Sequence, residues 1–533
     1  MMQRDLSFYH PYIFTGGIML LAASMPLSPF LVTVAQIILV VNWFAGGHLK
    51  QKLHIVWHRK ALFFFLLIFL VHLIWLFNTQ DFAYALKDLK IKLPVLVLPL
   101  ILGTGRRLKE TELKMILLVF TAAVMAASFF SVYRLSTISY NPMAELREMS
   151  LFISHIRFSL LVNIAIFSLL YLLVTSSFQW HRTIRNSLWI SLAWLLLFLF
   201  ILQSFTGIII FIITSVLFLM RFSYRFEKRY WYIRYPLLYG LSALVVLISG
   251  YTLWVILSFT TVPPITANLK ELTPSGNTYE HYIMNRQIEN GNYVWINICE
   301  KELEREWNRK SSLDYYGTDN KGHELRYTLI RYLTSLGLDK DSAGVAQLTE
   351  TDIRNIESGM ANHIYSNNKW LYPRIYQVIW EIDNYRKGGN PSGHSLAQRF
   401  EYWKTGFDII RNNFWFGVGT GDVAAAFDKQ YAENDSLLDP EWQLRAHNQF
   451  ITFLISFGIT GFLIVMFAMI APFFIEERQS QILPFIFASV ALLSMLTEDT
   501  LETQAGATFF AFFYALFIFS QKKYNSDNGD EPC

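Results

Sequence analysis

Charged side chains are scarce in this sequence. Of 533 residues, 16% are Asp, Glu, Lys or Arg, against 53% hydrophobic and 16% aromatic. A soluble chain carries roughly a quarter charged residues, so this one has too little polar surface to cover a water-soluble fold. A mean hydropathy of +0.31 says the same. Lipid must cover the rest. Cysteine is scarcer still: Cys299 and Cys533 are the two present, which excludes a disulfide framework and a thiolate metal cluster. No cleavable signal is expected, because the first apolar run is followed at once by another and reads as a first span. No internal repeat and no low-complexity tract is found. The net charge of +4 is too small to identify a partner by itself, and no nucleic-acid partner is expected.

Long apolar runs dominate instead. A membrane-crossing helix needs about 20 mostly apolar residues, and short or kinked ones manage with fewer. That measure predicts about twelve spans: 11–26, 28–45, 61–78, 91–104, 114–132, 156–176, 187–203, 205–220, 235–259, 447–474, 482–497 and 505–521. Lys and Arg in short loops set orientation. Lys50, Lys52, Arg59 and Lys60, then Arg106, Arg107, Lys109 and Lys114, then Arg182 and Arg185 mark one side. So do Arg221, Arg225, Lys228, Arg229 and Arg234, with Lys522 and Lys523. That side is the cytoplasm, and both termini lie there. Lys87, Lys90 and Lys92 break the pattern, with Asp81 and Asp88 nearby.

The expectation is an all-α polytopic membrane protein of the bacterial inner (cytoplasmic) membrane. Residues 1–259 carry spans one to nine, 260–446 form a large, mainly helical periplasmic loop, 447–521 carry the last three spans, and 522–533 form a cytoplasmic tail. Within the loop, ELRYTLIRYLTSLGL and QLTETDIRNIESGMANHIY show apolar residues at three- and four-residue spacing, as helices do. Thr349 or Thr351 is placed to cap the second. The tail NSDNGDEPC is too polar to pack.

Chemistry concentrates where the loop meets span ten. RFEYWKTGFDIIRNNFWFGVGTGDVAAAF reads as a helix, a glycine turn at Gly417, Gly419 and Gly421 followed by Asp422, and a second helix. Glycines there permit positive φ and close approach of a ligand or backbone; the turn follows no strand, so a dinucleotide fold is a poor reading. His447 and Asn448 stand at the membrane boundary. A neutral imidazole there can take a proton from a hydroxyl, or it can merely cap span ten. Arg399 and Arg445 present guanidinium forks that match phosphate oxygens, or Arg399 pairs with Glu401 or Asp408 on its own helix. His155 and Arg157 open span six, where an arginine faces a cavity, a partner or the headgroups. Glu498, Asp499 and Glu502 form an acidic hairpin between the last two spans, either supporting the histidine and arginines or solvated.

These residues resemble the O-antigen ligase and polymerase superfamily of bacterial envelope glycan enzymes. The likeness lies in the helix beginning at Arg399 with its FGVGTGD turn, in HNQFITFLISFGITGF at span ten, in SHIRFSLL at span six and in the LQSFTGIII hairpin. The stretch Leu272 to Gly389 is longer than in a typical member and suggests the version found in Bacteroidetes-like bacteria. The resemblance implies a GT-C-like, inverting glycosyltransferase that needs no metal and no cofactor. His447 is implied as general base on the acceptor hydroxyl, and Arg399 as a clamp on the diphosphate. Arg157, Arg445, His155, Asn448, Gly417, Gly419, Gly421 and Asp422 are implied around the substrate. The implied partners are an undecaprenyl-diphosphate-linked glycan donor, a lipid A core acceptor and the lipid bilayer. Many relatives carry an arginine after the hairpin serine, where this chain has Ser204-Phe205-Thr206, so another arginine must supply that contact. Ligase and polymerase are both open on these residues, with the ligase favoured by SHIRF and TEDTLE. A lipid-linked glycan transporter is the third reading, opposed by charge-free spans and the absence of repeats.

Overall fold

A computed structural model describes residues 2–137, 150, 152–175, 180–225, 231–262, 264–366 and 371–520. Lys228, Arg229, Lys522 and Lys523, counted above for orientation, and the tail through Cys533 lie outside the described residues. The protein is mostly helical, 73% helix and 2% strand. Among the described residues, ten helices come first: α1 (Met2–Ser24), α2 (Pro29–Ala45), α3 (Leu49–His58), α4 (Lys60–Ile74), α5 (Phe82–Thr104), α6 (Glu110–Thr137), α7 (His155–Val174), α8 (Arg182–Ile201), α9 (Phe205–Arg225) and α10 (Trp231–Thr260). Five shorter ones follow: α11 (Glu300–Lys310), α12 (Leu325–Ser335), α13 (Ser342–Ala346), α14 (Glu350–Glu357) and α15 (Leu371–Arg386). The chain then continues through α16 (Ser395–Asn412), α17 (Val423–Glu433), α18 (Gln449–Ile475), α19 (Ile482–Met495) and α20 (Gln504–Tyr514).

A helix stands at each of the twelve predicted span positions. Among the described residues, five stretches are long and apolar enough to cross a membrane: Lys60–Asn78, Glu110–Ser136, His155–Val174, Arg182–Ile201 and Gln449–Ile475. They become six if α2 and α3, bent by 106°, form one span. The others differ for physical reasons. Helix α5 carries Lys87, Asp88, Lys90 and Lys92, while α19 and α20 have only 14 and 11 residues.

The chain divides into two compact units, residues 1–234 with 399–533, and residues 235–398. In the first, α4 packs on α18, α20 on α5, and α7 on α8 and α19. Among apolar surroundings, close packing and polar contacts rather than the hydrophobic effect select which helices pair. Close packing shows at Gly207, where an added Cβ would lie 2.3 Å from Ser159. The buried Ser204 hydroxyl donates to Ser159 Oγ at 3.1 Å and accepts from the Gly207 N–H at 3.3 Å, which caps α9. Polar contact shows at Arg59, which pairs with Glu476 at 2.6 Å. Its other nitrogens donate to the Gly103 and Phe519 carbonyls, tying the start of α4 and the end of α18 to α5 and to the turn that follows α20.

The glycine turn has a structural reason of its own. Val418 and Gly419 donate from their backbone to the Ile455 and Ser456 carbonyls at 2.8 and 2.9 Å. This is possible because α18 is broken at Gly458, which adopts φ 60, ψ −170. The Ile459 N–H then bonds the Phe414 carbonyl at 2.8 Å. A Cβ at Gly458 would lie 2.4 Å from the Phe416 nitrogen, and one at Gly419 would lie 2.5 Å from the Asn78 carbonyl.

The second unit builds its own core from Val294, Leu303, Trp307, Tyr315, Leu329 and Leu333. Leu325, Leu329 and Leu333 of α12 share one face at four-residue spacing and are fully buried. Thr349 caps α14 in a capping box: its hydroxyl accepts from the Asp352 N–H, and the Asp352 carboxylate accepts from the Thr349 N–H at 2.9 Å. A two-residue antiparallel ladder pairs Ile288 with Tyr293 and Glu289 with Asn292.

Gly458→Ala is expected to lower the stability of the detergent-solubilised chain by about 1–3 kcal/mol, the cost of forcing a side chain into that backbone region. Gly16→Ala, where an added Cβ meets nothing within 4 Å, should leave the thermal unfolding midpoint unchanged. Equal midpoints for the two variants would refute the clasp.

Candidate active site

The site grows out of four residues that begin α18. Asn448 is its N-cap, its side-chain oxygen accepting from the Phe450 and Ile451 N–H groups at 3.0 and 3.2 Å. Capping is therefore done by Asn448, and the His447 imidazole is left for other work. His447 itself adopts φ 47, an uncommon conformation for a non-glycine residue. Its N–H donates to Asp499 Oδ2 at 3.1 Å, and the other Asp499 oxygen accepts from the Thr452 hydroxyl at 2.8 Å. Gln449 accepts from the Leu501 N–H at 2.7 Å and donates to Glu502 at 3.1 Å, while Asn448 donates to the Leu496 carbonyl at 3.0 Å. The acidic hairpin is thus stitched to the start of α18 rather than solvated.

Two arginines enter the same hairpin. Arg399, in the first turns of α16, places Nη2 3.3 Å from Glu498 Oε1, while Glu498 Oε2 lies 3.9 Å from His447 Nδ1. Its partner is neither Glu401 nor Asp408. Helix α16 is held there by Tyr402 and Trp403, which donate to the Trp442 and Ala446 carbonyls at 2.9 and 3.0 Å. The Tyr402 ring lies 5.6 Å from the His447 ring. Arg445 places Nη1 3.2 Å from Glu502 Oε2. The same oxygen takes Lys92 Nζ at 3.0 Å, and Lys92 also pairs with Asp88 one turn earlier on α5. Lys92 is 2% exposed, so it does not belong with the loop lysines that report orientation; it is an internal counter-ion.

Burial pushes the Asp499 carboxyl up, and the neighbouring Glu502 adds to that. Burial acts on Glu502 in the same sense, but Lys92 and Arg445 outweigh it and hold that carboxyl well below the usual range. The Tyr402 phenol is pushed up to about 12 by burial, against the opposing pull of Arg399. The ring facing His447 therefore stays neutral.

Arg157 lies in the first turn of α7 and lines a groove with Glu498. The rest of the groove is mostly apolar, with Met25, Val32, Leu160, Leu161 and Phe509 on its walls. Among the described residues, the Arg157 guanidinium makes no hydrogen bond and no ion pair. The groove, the imidazole and the two paired arginines all meet the acidic hairpin. Among the described residues, no group of three or more His, Cys, Asp or Glu side chains is gathered to hold a metal ion.

A family model described as O-antigen ligase matches residues 358–466. That span takes in Arg399, the glycine turn, Arg445 and His447. This stretch is similar to an O-antigen ligase domain, which supports the O-antigen ligase superfamily. No curated protein matches the chain. That match and the several apolar helices together point to a membrane protein.

Not every residue picked out by sequence converges on the hairpin. Gly417, Gly419 and Gly421 of the matched stretch are spent on backbone packing: an added Cβ would lie 2.4 Å from the Ile455 carbonyl, 2.5 Å from that of Asn78 and 2.2 Å from that of Asp81. Asp422 accepts from the Gln80 and Asp81 N–H groups at 2.7 and 2.9 Å. Asn448 is occupied as a cap. His155 opens α7 but does not line the groove that holds Arg157. Sequence reading passed over Lys92, Gln449, Thr452 and Tyr402. A lysine four residues after an aspartate inside an apolar stretch was the available signal for the first.

Asp499→Ala is expected to destabilise the chain by about 2–4 kcal/mol, because it orphans both the His447 N–H and the Thr452 hydroxyl. Glu498→Gln should cost less than about 1 kcal/mol, since its partners are partly exposed. Thermal unfolding of the two variants checks this, and the reverse order would contradict the role given to Asp499.

Proposed function

We propose that this chain is an O-antigen ligase-like glycosyltransferase that moves a glycan from undecaprenyl diphosphate to lipid A core. In this reading it is a GT-C-like inner-membrane protein of about twelve spans, with its site on the periplasmic side and both termini in the cytoplasm. The observation that carries it is the double use of Glu498, which holds Arg399 through one oxygen and faces His447 with the other.

The chemistry follows from those positions. With Nδ1 turned towards Glu498, His447 has Nε2 left for the acceptor hydroxyl. The acceptor oxygen attacks the anomeric carbon from the side opposite the diphosphate; the bond from that carbon to the bridging phosphate oxygen breaks, and the electron pair leaves on the diphosphate. The hydroxyl proton passes to His447, whose positive charge Glu498 then faces. Attack from the opposite face inverts the anomeric centre. Arg399, Arg445 and Arg157 supply positive charge where the leaving group gains negative charge, and one such contact is worth about 3–4 kcal/mol of barrier. The base adds roughly a hundredfold or more. The apolar walls of the Arg157 groove suit an isoprenoid chain whose charged end stops at the arginine. Because the serine hairpin carries no arginine, Arg157 is assigned the missing phosphate contact. The donor arrives activated, so the reaction as written calls on neither a metal nor a nucleotide.

His447→Ala, tested in cells after its membrane insertion is checked, is expected to leave full-length polymer on the polyprenyl carrier and bare lipid A core. Single repeats on the core would indicate a polymerase. Lipid-linked repeats trapped on the cytoplasmic leaflet would indicate a transporter, and normal glycans would remove His447 from the reaction. Arg399→Lys should lower activity about tenfold or more despite keeping the charge, because the fork geometry is lost. A fully active Lys variant would contradict the clamp.

A further inference from the structure

Both arginines on the acidic hairpin are already paired, yet a diphosphate needs them unpaired. Arg399 rests on Glu498 at 3.3 Å and Arg445 on Glu502 at 3.2 Å. Leaving a buried carboxylate without its cation is strongly unfavourable, so the ordinary expectation is that these pairs resist a ligand. The geometry supplies a way out. Each carboxylate has a second basic group beside it, and for Glu502 that group is too deeply buried to leave with the first. For Glu498 it is His447, whose Nδ1 lies 3.9 Å from the other oxygen. For Glu502 it is Lys92, whose Nζ lies 3.0 Å from the same oxygen that Arg445 uses.

The charged groups of the site differ in freedom. The side chains of Lys92 and Glu502 are 3% and 6% exposed, whereas those of Arg445 and Arg399 are 27% and 22% exposed. Glu502 is further fixed by Gln449, which donates to its other oxygen at 3.1 Å. Lys92 is anchored on α5 by Asp88. Arg445 therefore can turn outward while Lys92 and Glu502 stay, and Arg399 is similarly open beside Glu498.

We propose that Lys92 is a positioning residue for the donor: it keeps Glu502 paired when Arg445 moves from that carboxylate onto the donor diphosphate. Binding is then an exchange of counter-ions. At rest the site neutralises its own arginines; when occupied, the two arginines hold the diphosphate, Lys92 holds Glu502, and Glu498 is free to face the imidazolium that forms on His447. Drawing two arginines off two carboxylates takes two anionic phosphoryl groups on the incoming headgroup, one for each guanidinium. The exchange therefore selects a lipid diphosphate over a lipid monophosphate. The inference rests on the diphosphate donor proposed above.

The test measures binding of undecaprenyl diphosphate and undecaprenyl monophosphate to the full chain in nanodiscs, for wild type, Lys92→Met, Glu502→Gln and the double variant. Wild type should prefer the diphosphate. Lys92→Met should weaken diphosphate binding at least about tenfold, as loss of a charge-assisted contact does, because Glu502 then keeps Arg445. Glu502→Gln frees Arg445 and should bind the diphosphate at least as tightly as wild type. The double variant should recover to within about threefold of wild type, since neither charge is left to compensate. A residue that only supports the fold would not give this recovery. If Lys92→Met does not insert, Glu502→Gln decides alone. Weaker diphosphate binding in Glu502→Gln, or unchanged binding in Lys92→Met, overturns the exchange while the donor reading stands. A wild-type chain that binds neither lipid overturns the donor reading and the exchange with it.

Discussion

The buried carboxylate of Glu502 is the constraint on which the site depends. It sits in the hairpin between α19 and α20 and takes Lys92 from α5, Arg445 from the segment before α18 and Gln449 from α18 itself. A charge so placed is tolerable only when it is paired and hydrogen-bonded on several sides, so three chain segments distant in sequence must meet there. Once they do, the positions of Asp499 and Glu498 follow, because they lie in the same short turn. Asp499 then fixes the backbone of His447, and Glu498 faces its ring. The unusual backbone conformation of His447 is held by this arrangement rather than by its own preference.

The two ends of the unit show a division of labour between similar chemistries. Around Arg59 and Glu476 the ion pair is closed, with every arginine nitrogen given a protein acceptor, so it works as a tie between helices. Around Arg399 and Arg445 each guanidinium has one carboxylate contact and keeps a partly exposed face. Equivalent charges thus serve packing where they are saturated and binding where they are not. The glycine turn belongs to the first kind. Its glycines let α16 and α17 close onto residues 78–81 and the break at Gly458, which fixes the axis on which Arg399 is carried.

Much of this was legible in the sequence. The apolar runs located the helices, since a span must be apolar whatever its partners, although α1 and α5 each begin nine residues before the predicted span, and Thr349 announced its capping box three residues before Asp352. The groups at 399, 445–447 and 498–502 were recognisable as polar residues at span ends. Their convergence was not, because it depends on which helices pack together, and apolar periodicity is silent on that in a chain that is apolar all round. Lys92 illustrates the limit. In sequence it is one of three lysines at the start of a predicted span; in the fold two of them are exposed and it is buried between two carboxylates. The glycine turn illustrates another: the need for close approach was readable, but the object approached, backbone more than 300 residues away at Asn78, was not.

The central claim is that a lipid-borne diphosphate sits between the imidazole and the guanidinium groups gathered by the acidic hairpin. The most direct measurement is a cryo-EM structure of the full chain in nanodiscs with undecaprenyl diphosphate bound. The account predicts headgroup density against Arg399 and Arg445, within reach of His447, and chain density along the groove that begins at Arg157. Headgroup density elsewhere, with Arg399 still on Glu498 and Arg445 still on Glu502, would contradict it.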